Sequence, residues 1–189
     1  MIVVIVALES ELSRSPLPPG FALVHSGVGK VNSAIASCAA LQEFKPTMLV
    51  NYGTAGAVGN AARGLVEVGR VIQRDMLAVP LAPRGVTPFD AAAFEIVNSH
   101  ATLRCATGDS FVTCSDPWLL EQGVDLVDME LFAIARVCQR AHLPWRSFKF
   151  VTDEAGAAAA DDWRIRVGDG EAMFLARLVK LRDEVVAGR

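Results

Sequence analysis

The sequence predicts a three-layer α/β domain, with helices flanking a central sheet that is mostly parallel or mixed. Short β-branched runs alternate with longer segments of helical periodicity, the pattern of one sheet between helix layers rather than a bundle or sandwich. The first run, Ile2 to Leu8, is apolar throughout. A strand with one wet face would alternate, so this one is expected to be covered on both faces. At 189 residues and 52% apolar, the chain suits a single domain over 1–189, and a domain of that size buries roughly 70% of its unfolded surface.

The elements follow in order. After the strand at 2–8, a Pro-rich connection from Pro16 to Pro19 leads to a second apolar stretch at 21–25. Ser26-Gly27-Val28-Gly29-Lys30 is a tight turn opening an Ala-rich helix over 31–43, which closes before Pro46. Met48 to Asn51 is the next strand, and Tyr52 to Ala62 reads as a Gly/Ala loop. Val66 to Gln73 is a strand interrupted by Gly69, with 76–79 as a possible extension, and 80–92 is loop. Ile96 to Thr107 gives one strand or two. Asp116 is placed as the N-cap of a short helix beginning Pro117-Trp118. Asp125 to Val127 is a brief strand. Met129 to Ala141 is a helix presenting Leu131, Ile134, Ala135 and Cys138 on one side. Trp145 to Val151 is the last strand, 155–162 is Ala/Asp-rich and weakly specified, and Gly170 to Val186 is a helix with Met173, Leu175, Leu178, Val179 and Leu181 on its apolar side.

Several function classes fall away at once. A net charge of -3 and the lack of a basic stripe argue against nucleic-acid binding. Cys38, Cys105, Cys114 and Cys138 lie far apart, with no CxxC and no His at ligand spacing, so reduced thiols in or near a core are expected and neither a metal nor a cofactor is implied. The apolar run at the N-terminus is too short to span a bilayer and lacks a basic segment before it, and no other apolar 20-mer occurs. A cytoplasmic protein without stable membrane association is the expectation.

Acidic residues carry the functional signal. Asp128 and Glu130 flank Met129 beside a helix, and Asp153 ends an apolar stretch after Thr152. Carboxylates are rarely set against a core without a partner or a task. Glu9 and Glu11 end the first strand, so Glu9, Asn51 to Gly53 and Thr152-Asp153 all fall where sites of parallel sheets gather, at the carboxyl ends of strands. Gly27-Val28-Gly29 does not complete a dinucleotide fingerprint, because Asn32 replaces the third glycine. Gly29-Lys30-Val31 lacks the Ser/Thr of a P-loop. The small-residue turns at 26–30 and 51–56 instead offer backbone N–H groups and close approach to a polar ligand.

With these pieces assembled, the chain resembles the 5'-methylthioadenosine/S-adenosylhomocysteine nucleosidases of the nucleoside phosphorylase/nucleosidase superfamily. The matching pieces lie in order: Val6-Ala7-Leu8-Glu9-Ser10-Glu11, Ser26 to Lys30, Asn51-Tyr52-Gly53-Thr54-Ala55-Gly56, Val68-Gly69, Thr107-Gly108-Asp109-Ser110-Phe111-Val112, Val127 to Glu130, and Phe150-Val151-Thr152-Asp153. The resemblance implies a nucleoside phosphorylase-like fold and cleavage of the N-glycosidic bond of a purine nucleoside. It implies Asp153 as the acid that protonates N7 of the leaving adenine, with Thr152 orienting it. Glu130 would hold the ribose hydroxyls with Met129 against the sugar, and Glu11 would activate the attacking water. Phe111 would cover the base and the Val112 backbone read its edge. Gly53, Thr54, Ala55 and Gly56 would line the substrate. Glu9 and Asp128 are assigned supporting or surface positions.

Water rather than phosphate is the expected nucleophile, because Glu9 and Glu11 place negative charge where a phosphate dianion needs positive, although Arg14 is close. A phosphate-dependent phosphorylase and a degenerate nucleoside-binding protein are the alternatives. The chain is some 40 residues shorter than typical relatives, abbreviated over 12–20 and 74–100, and has Lys149 where they usually carry arginine. The 5' side of the sugar is expected to be more open, admitting methylthioadenosine, S-adenosylhomocysteine or another 5'-substituted adenosine. A homodimer is expected, with Leu77 to Phe89 as its interface or rim.

Overall fold

In the computed structural model, residues 1–13, 17–59, 62–91, 93–156 and 159–188 are described. Arg14 and Pro16 lie outside the described residues, as do positions 60–61, 92 and 157–158 of the expected loops. β1 (Ile2–Val6) shows how the layers are built. Val3 and Ile5 enter one apolar cluster with Ala40, Leu131 and Ile134, while Ile2, Val4 and Val6 enter another with Phe174, Leu178 and Leu181. Successive strand residues face opposite ways, so a continuous apolar run serves two cores at once.

β1 pairs in parallel with β2 (Phe21–His25) and β3 (Met48–Ala57). From β3 the sheet closes on itself. β3 pairs with β8 (Trp145–Glu154), β8 with β4 (Gly64–Gln73), β4 with β6 (Leu103–Thr107), β6 with β7 (Leu126–Asp128), and β7 returns to β3. β5 (Glu95–Val97) adds to β4 at the far edge. Contacts β3–β7, β4–β8 and β4–β5 are antiparallel, so the sheet is mixed. β4 turns from β8 to β6 at Gly69, where the register shifts. A Cβ there would fall 1.8 Å from the Ala101 carbonyl oxygen, so only glycine lets the two backbones pass.

α1 (Lys30–Phe44) and α3 (Leu131–Arg140) cover one face. α3 buries Leu131, Ile134, Ala135 and Cys138, the predicted set. α5 (Glu171–Val186) covers the other face, but through Phe174, Leu178 and Leu181. Met173 and Val179, expected on that side, are exposed. The spacing 174, 178, 181 follows the helix more closely than the broader predicted stripe. α2 (Pro117–Glu121) begins as expected, with the Asp116 carboxylate accepting from the Trp118 N–H.

Other boundaries moved. The stretch 52–57 is strand rather than loop, because β8 supplies a ladder partner along its whole length. β4 stops at Gln73 without extending into 76–79, and 96–107 resolves into β5 and β6. α3 begins at Leu131, leaving Met129 and Glu130 just outside it. A helix unforeseen in the sequence, α4 (Ala159–Arg166), follows β8. Cys105 and Cys138 are buried, whereas Cys38 and Cys114 are exposed; all four are free. Among the described residues no helix is long and apolar enough to cross a membrane.

Candidate active site

One cleft gathers the ends of β1, β3, β6, β7 and β8. Glu11, Glu130 and Asp153 all line it, together with Thr54, Ala55, Gly56, Phe111, Val112, Met129 and Thr152. Of the predicted residues only Gly53 does not, and Glu9 is exposed outside it. Gly53 lies behind the wall: a Cβ on it would sit 3.2 Å from Glu11 Oε1 and 3.5 Å from Lys149 Nζ. Gly56 serves the same end, since its Cβ would meet Asp153 Oδ1 at 2.7 Å. These glycines thus make room for carboxylates rather than for turn geometry, and Gly56 also lines the cleft.

Glu11 is anchored on three donors. Its Oε1 accepts from the Thr54 backbone N–H at 2.7 Å and the Thr54 hydroxyl at 2.8 Å, and Oε2 accepts from the Leu8 N–H at 3.2 Å. The Thr54 hydroxyl in turn accepts from Trp163 Nε1 at 2.9 Å. Thr54, predicted to line substrate, therefore also fixes the carboxylate beside it.

Glu130 precedes α3, and its Oε1 accepts from the Gly29 N–H at 2.9 Å. Burial pushes its carboxyl up to about 7, with the negative charge of Asp128 adding to the effect, while Lys149 and the Gly29 N–H oppose it. Asp128 is fully built into the structure. It is ion-paired with Lys149 at 2.8 Å, both side chains being 0% exposed, and it accepts from the Thr107 hydroxyl at 2.5 Å and the Leu131 N–H at 2.8 Å. That pairing holds Asp128 below the usual carboxylate range despite its burial. Its supporting role is structural and interior, not superficial.

Asp153 is half-buried at the end of β8 and Thr152 is wholly buried. Burial raises the Asp153 carboxyl above its ordinary value, opposed by the Thr152 hydroxyl, which donates to Oδ2 at 2.7 Å; Asp162 raises it further and Arg166 lowers it. A pKa shifted upward is the direction that suits a carboxyl to acid catalysis.

Some lining residues, Trp163 and Arg74 among them, escaped the sequence analysis. Trp163 on α4 meets Phe111 edge to face, ring centres 6.4 Å apart. A lone tryptophan in the polar stretch Asp161-Asp162-Trp163-Arg164 was the available signal, since a large ring on a polar helix wants a partner elsewhere. Val28 comes from the turn before α1, and Arg74 from the residue after β4. Among the described residues no cluster of His, Cys, Asp and Glu could hold a metal.

The closed sheet and its carboxylate-lined cleft define a class, and comparison with known proteins names it. The sequence model of the phosphorylase superfamily matches residues 20–187. The 5'-methylthioadenosine/S-adenosylhomocysteine nucleosidase of Halalkalibacterium halodurans is 32% identical over 161 residues, 72% of this chain and 69% of that one. The crystal structure of the Helicobacter pylori enzyme of the same name superposes with a TM-score of 0.84 over 97% of each chain at 20% identity. The S-adenosylhomocysteine nucleosidase of Streptococcus pyogenes, in complex with 5-methylthiotubericidin, is 26% identical, with a TM-score of 0.75 over 92% of this chain and 93% of that one. The chain belongs to the phosphorylase superfamily and, within it, to the 5'-methylthioadenosine/S-adenosylhomocysteine nucleosidases.

Proposed function

We propose that this protein is an N-ribosyl hydrolase that cleaves the purine–ribose bond of a 5'-substituted adenosine, such as methylthioadenosine or S-adenosylhomocysteine, and releases adenine. The observation that carries this reading is the convergence of Glu11, Glu130 and Asp153 on one cleft, each in a different environment. Bond breaking leaves an oxocarbenium-like ribosyl group, so the reaction needs an acid at the base, negative charge near the sugar and a positioned water. Asp153, with its raised pKa, gives a proton to N7 as electrons of the C–N bond pass to the purine. Thr152 holds its carboxyl in place. Glu130, steadied by the Gly29 N–H, accepts from the ribose hydroxyls, with Met129 against the sugar. Glu11, fixed by Thr54 and Leu8, takes the proton of the water that attacks the anomeric carbon. Phe111 covers the base, the Val112 backbone reads its edge, and Ala55 and Gly56 complete the wall.

A phosphorylase would hold phosphate with cationic donors. Arg74 is the cation lining the cleft among the described residues, and its guanidinium is turned to acceptors in the loop at 108–110. This favours water as the nucleophile. Incubating the protein with adenosines that differ in their 5' group, in phosphate-free buffer, is expected to release adenine and a free 5'-substituted ribose. Strict dependence on phosphate, with a ribose-1-phosphate product, would overturn the hydrolase assignment, and retention of nucleoside without product would make this a binding protein.

The protein acts, in this reading, as a cytoplasmic purine-salvage enzyme on a free nucleoside and as a homodimer without a cofactor. Leu77, Val79, Leu81 and Phe89 are strongly exposed, Phe89 at 96%, and Val31 and Ile35 of α1 add to the apolar surface. Apolar side chains exposed to this degree along one short segment suit burial against a second copy. Light scattering at micromolar concentration is expected to report about 40 kDa, twice the 20.2 kDa chain. A fully active 20 kDa species would remove the dimer.

A further inference from the structure

We propose that Arg74 is the positioning residue of the purine-binding loop at 108–112, setting affinity for the base while leaving the rate of bond breaking nearly untouched. The inference rests on the reading of the cleft as a purine nucleoside site. Arg74 is 5% exposed, lines the cleft and has no part in the proton transfers described above. Its backbone is tied at both ends: the N–H donates to the Thr107 carbonyl at 2.8 Å, and the carbonyl accepts from Arg84 Nε at 2.7 Å. Arg84 is itself paired with Asp116 at 2.6 Å and stacked over Trp118.

From this fixed point the guanidinium spans the base of the loop. Nη2 donates to the Gly108 carbonyl at 3.0 Å and to the Ser110 carbonyl, and Nη1 donates to the Ser110 hydroxyl at 3.1 Å. Residue 108 is glycine because a Cβ would lie 2.9 Å from Arg74 Cγ and Cζ. Asp75 continues the clamp by accepting from the Asp109 N–H at 2.8 Å. Lys30 bridges the Asp75 and Asp109 carboxylates. Residues 108, 109 and 110 are thereby all held, and Phe111 and Val112, the next two, line the cleft. A planar fork of five donors can satisfy several acceptors in one plane, whereas a lysine ammonium on a flexible stem would act as a point charge. The charge-assisted bonds run to loop carbonyls and the Ser110 hydroxyl rather than to reacting atoms, so their effect falls on where the base sits.

The test compares wild type with Arg74→Met and Arg74→Lys by three measurements: kcat and KM for the nucleoside, the Kd of free adenine by calorimetry, and amide hydrogen exchange. Losing these bonds is expected to weaken adenine binding and raise KM by about tenfold or more, with kcat within about twofold of wild type by the same reasoning. Exchange should quicken at 108–112 and stay unchanged in β4 and β6. Arg74→Lys should fall between the two, and it carries the test if Arg74→Met does not fold. Unchanged adenine affinity, a fall confined to kcat, or loss of protection throughout the sheet would each overturn the proposal. If wild type releases adenine from no 5'-substituted adenosine, the functional reading fails, while exchange at 108–112 still decides whether Arg74 holds the loop.

Discussion

The floor and the roof of the cleft are built to different standards. On the floor, Glu11 rests on the backbone of β3, Asp153 is the penultimate residue of β8, and Glu130 is tied to Gly29 from the turn before α1. Beneath them lies the fully buried Lys149–Asp128 pair. On the roof, Phe111 is 47% exposed and is met edge-on by Trp163, a residue of a short helix that reaches the floor through two hydrogen bonds, from Trp163 to the Thr54 hydroxyl and from Arg166 to the Thr152 carbonyl. In the proposed reading, the difference follows from what each part must do. Proton transfer depends on carboxyl groups held within fractions of an ångström, which strands supply better than loops. Covering a flat ring needs area and contact rather than atoms held at fixed points.

The comparison breaks most readily at Asp153. Asp153→Asn keeps the size and removes the proton, so kcat is expected to fall by about 10²–10⁴-fold with folding intact. A wild-type rate in single-turnover measurements would take Asp153 off the list of catalytic groups. Lys149→Met probes the foundation instead. It strands Asp128 as a buried charge beside Glu130, and breaking such a pair costs about 3–5 kcal/mol, to be read from denaturant unfolding. Stability unchanged from wild type would show that the floor does not depend on this ion pair.

Glu130 sharpens the comparison through pH. Its carboxyl is raised from 4.5 to about 7 in the folded protein, so the folded state binds this proton more tightly than the unfolded chain does. The sign follows: any stability linked to this group is present below pH 4.5 and is lost as pH rises through about 7. Glu130→Gln is therefore expected to gain on wild type in stability between pH 4 and pH 8. If, as proposed, the anion accepts from the ribose hydroxyls, kcat/KM should rise with an apparent pKa of about 7. A rise that survives in Glu130→Gln would assign that titration to another group. The smallest effect is expected on the roof. Trp163→Phe keeps a ring against Phe111 but removes the donor to Thr54, and KM should rise by less than about tenfold, the scale of one hydrogen bond. A larger loss, concentrated in kcat, would mean that Trp163 acts through Thr54 on Glu11.

Much of this was legible in the chain. The β-branched runs marked the strands, and the spacing of Leu131, Ile134, Ala135 and Cys138 marked the buried side of α3, because both patterns are local consequences of side-chain direction. Glu11, Glu130 and Asp153 were identified by their place in an ordered set of motifs and by the oddity of acids beside apolar segments. What misled was also local. Asn51 to Gly56 has the composition of a turn, yet it is strand, because β8 pairs along it and the missing Cβ atoms of Gly53 and Gly56 leave space for Glu11 and Asp153. Similarly, α4 is a polar segment whose place is set by Trp163, whose ring is received by Phe111 and Thr54 more than 50 residues away.

By itself the sequence determined the α/β class and the two-faced burial of β1, since each depends on residue type and short spacing, while its resemblance to a family pointed to Glu11, Glu130 and Asp153. Closure of the sheet through β3, β8, β4, β6 and β7 was decided only in the tertiary structure, as were the anchoring of Glu11 on Thr54, the Gly29 bond to Glu130 and the clamp of Arg74 on the loop at 108–110. The physical reason is that hydrogen bonds and desolvation act between atoms brought together by folding, and a segment of sequence does not state its distant neighbours. Glu130 shows the division most plainly. Its carboxyl was visible in the chain, but the pKa near 7 belongs to its burial beside Asp128 and Lys149.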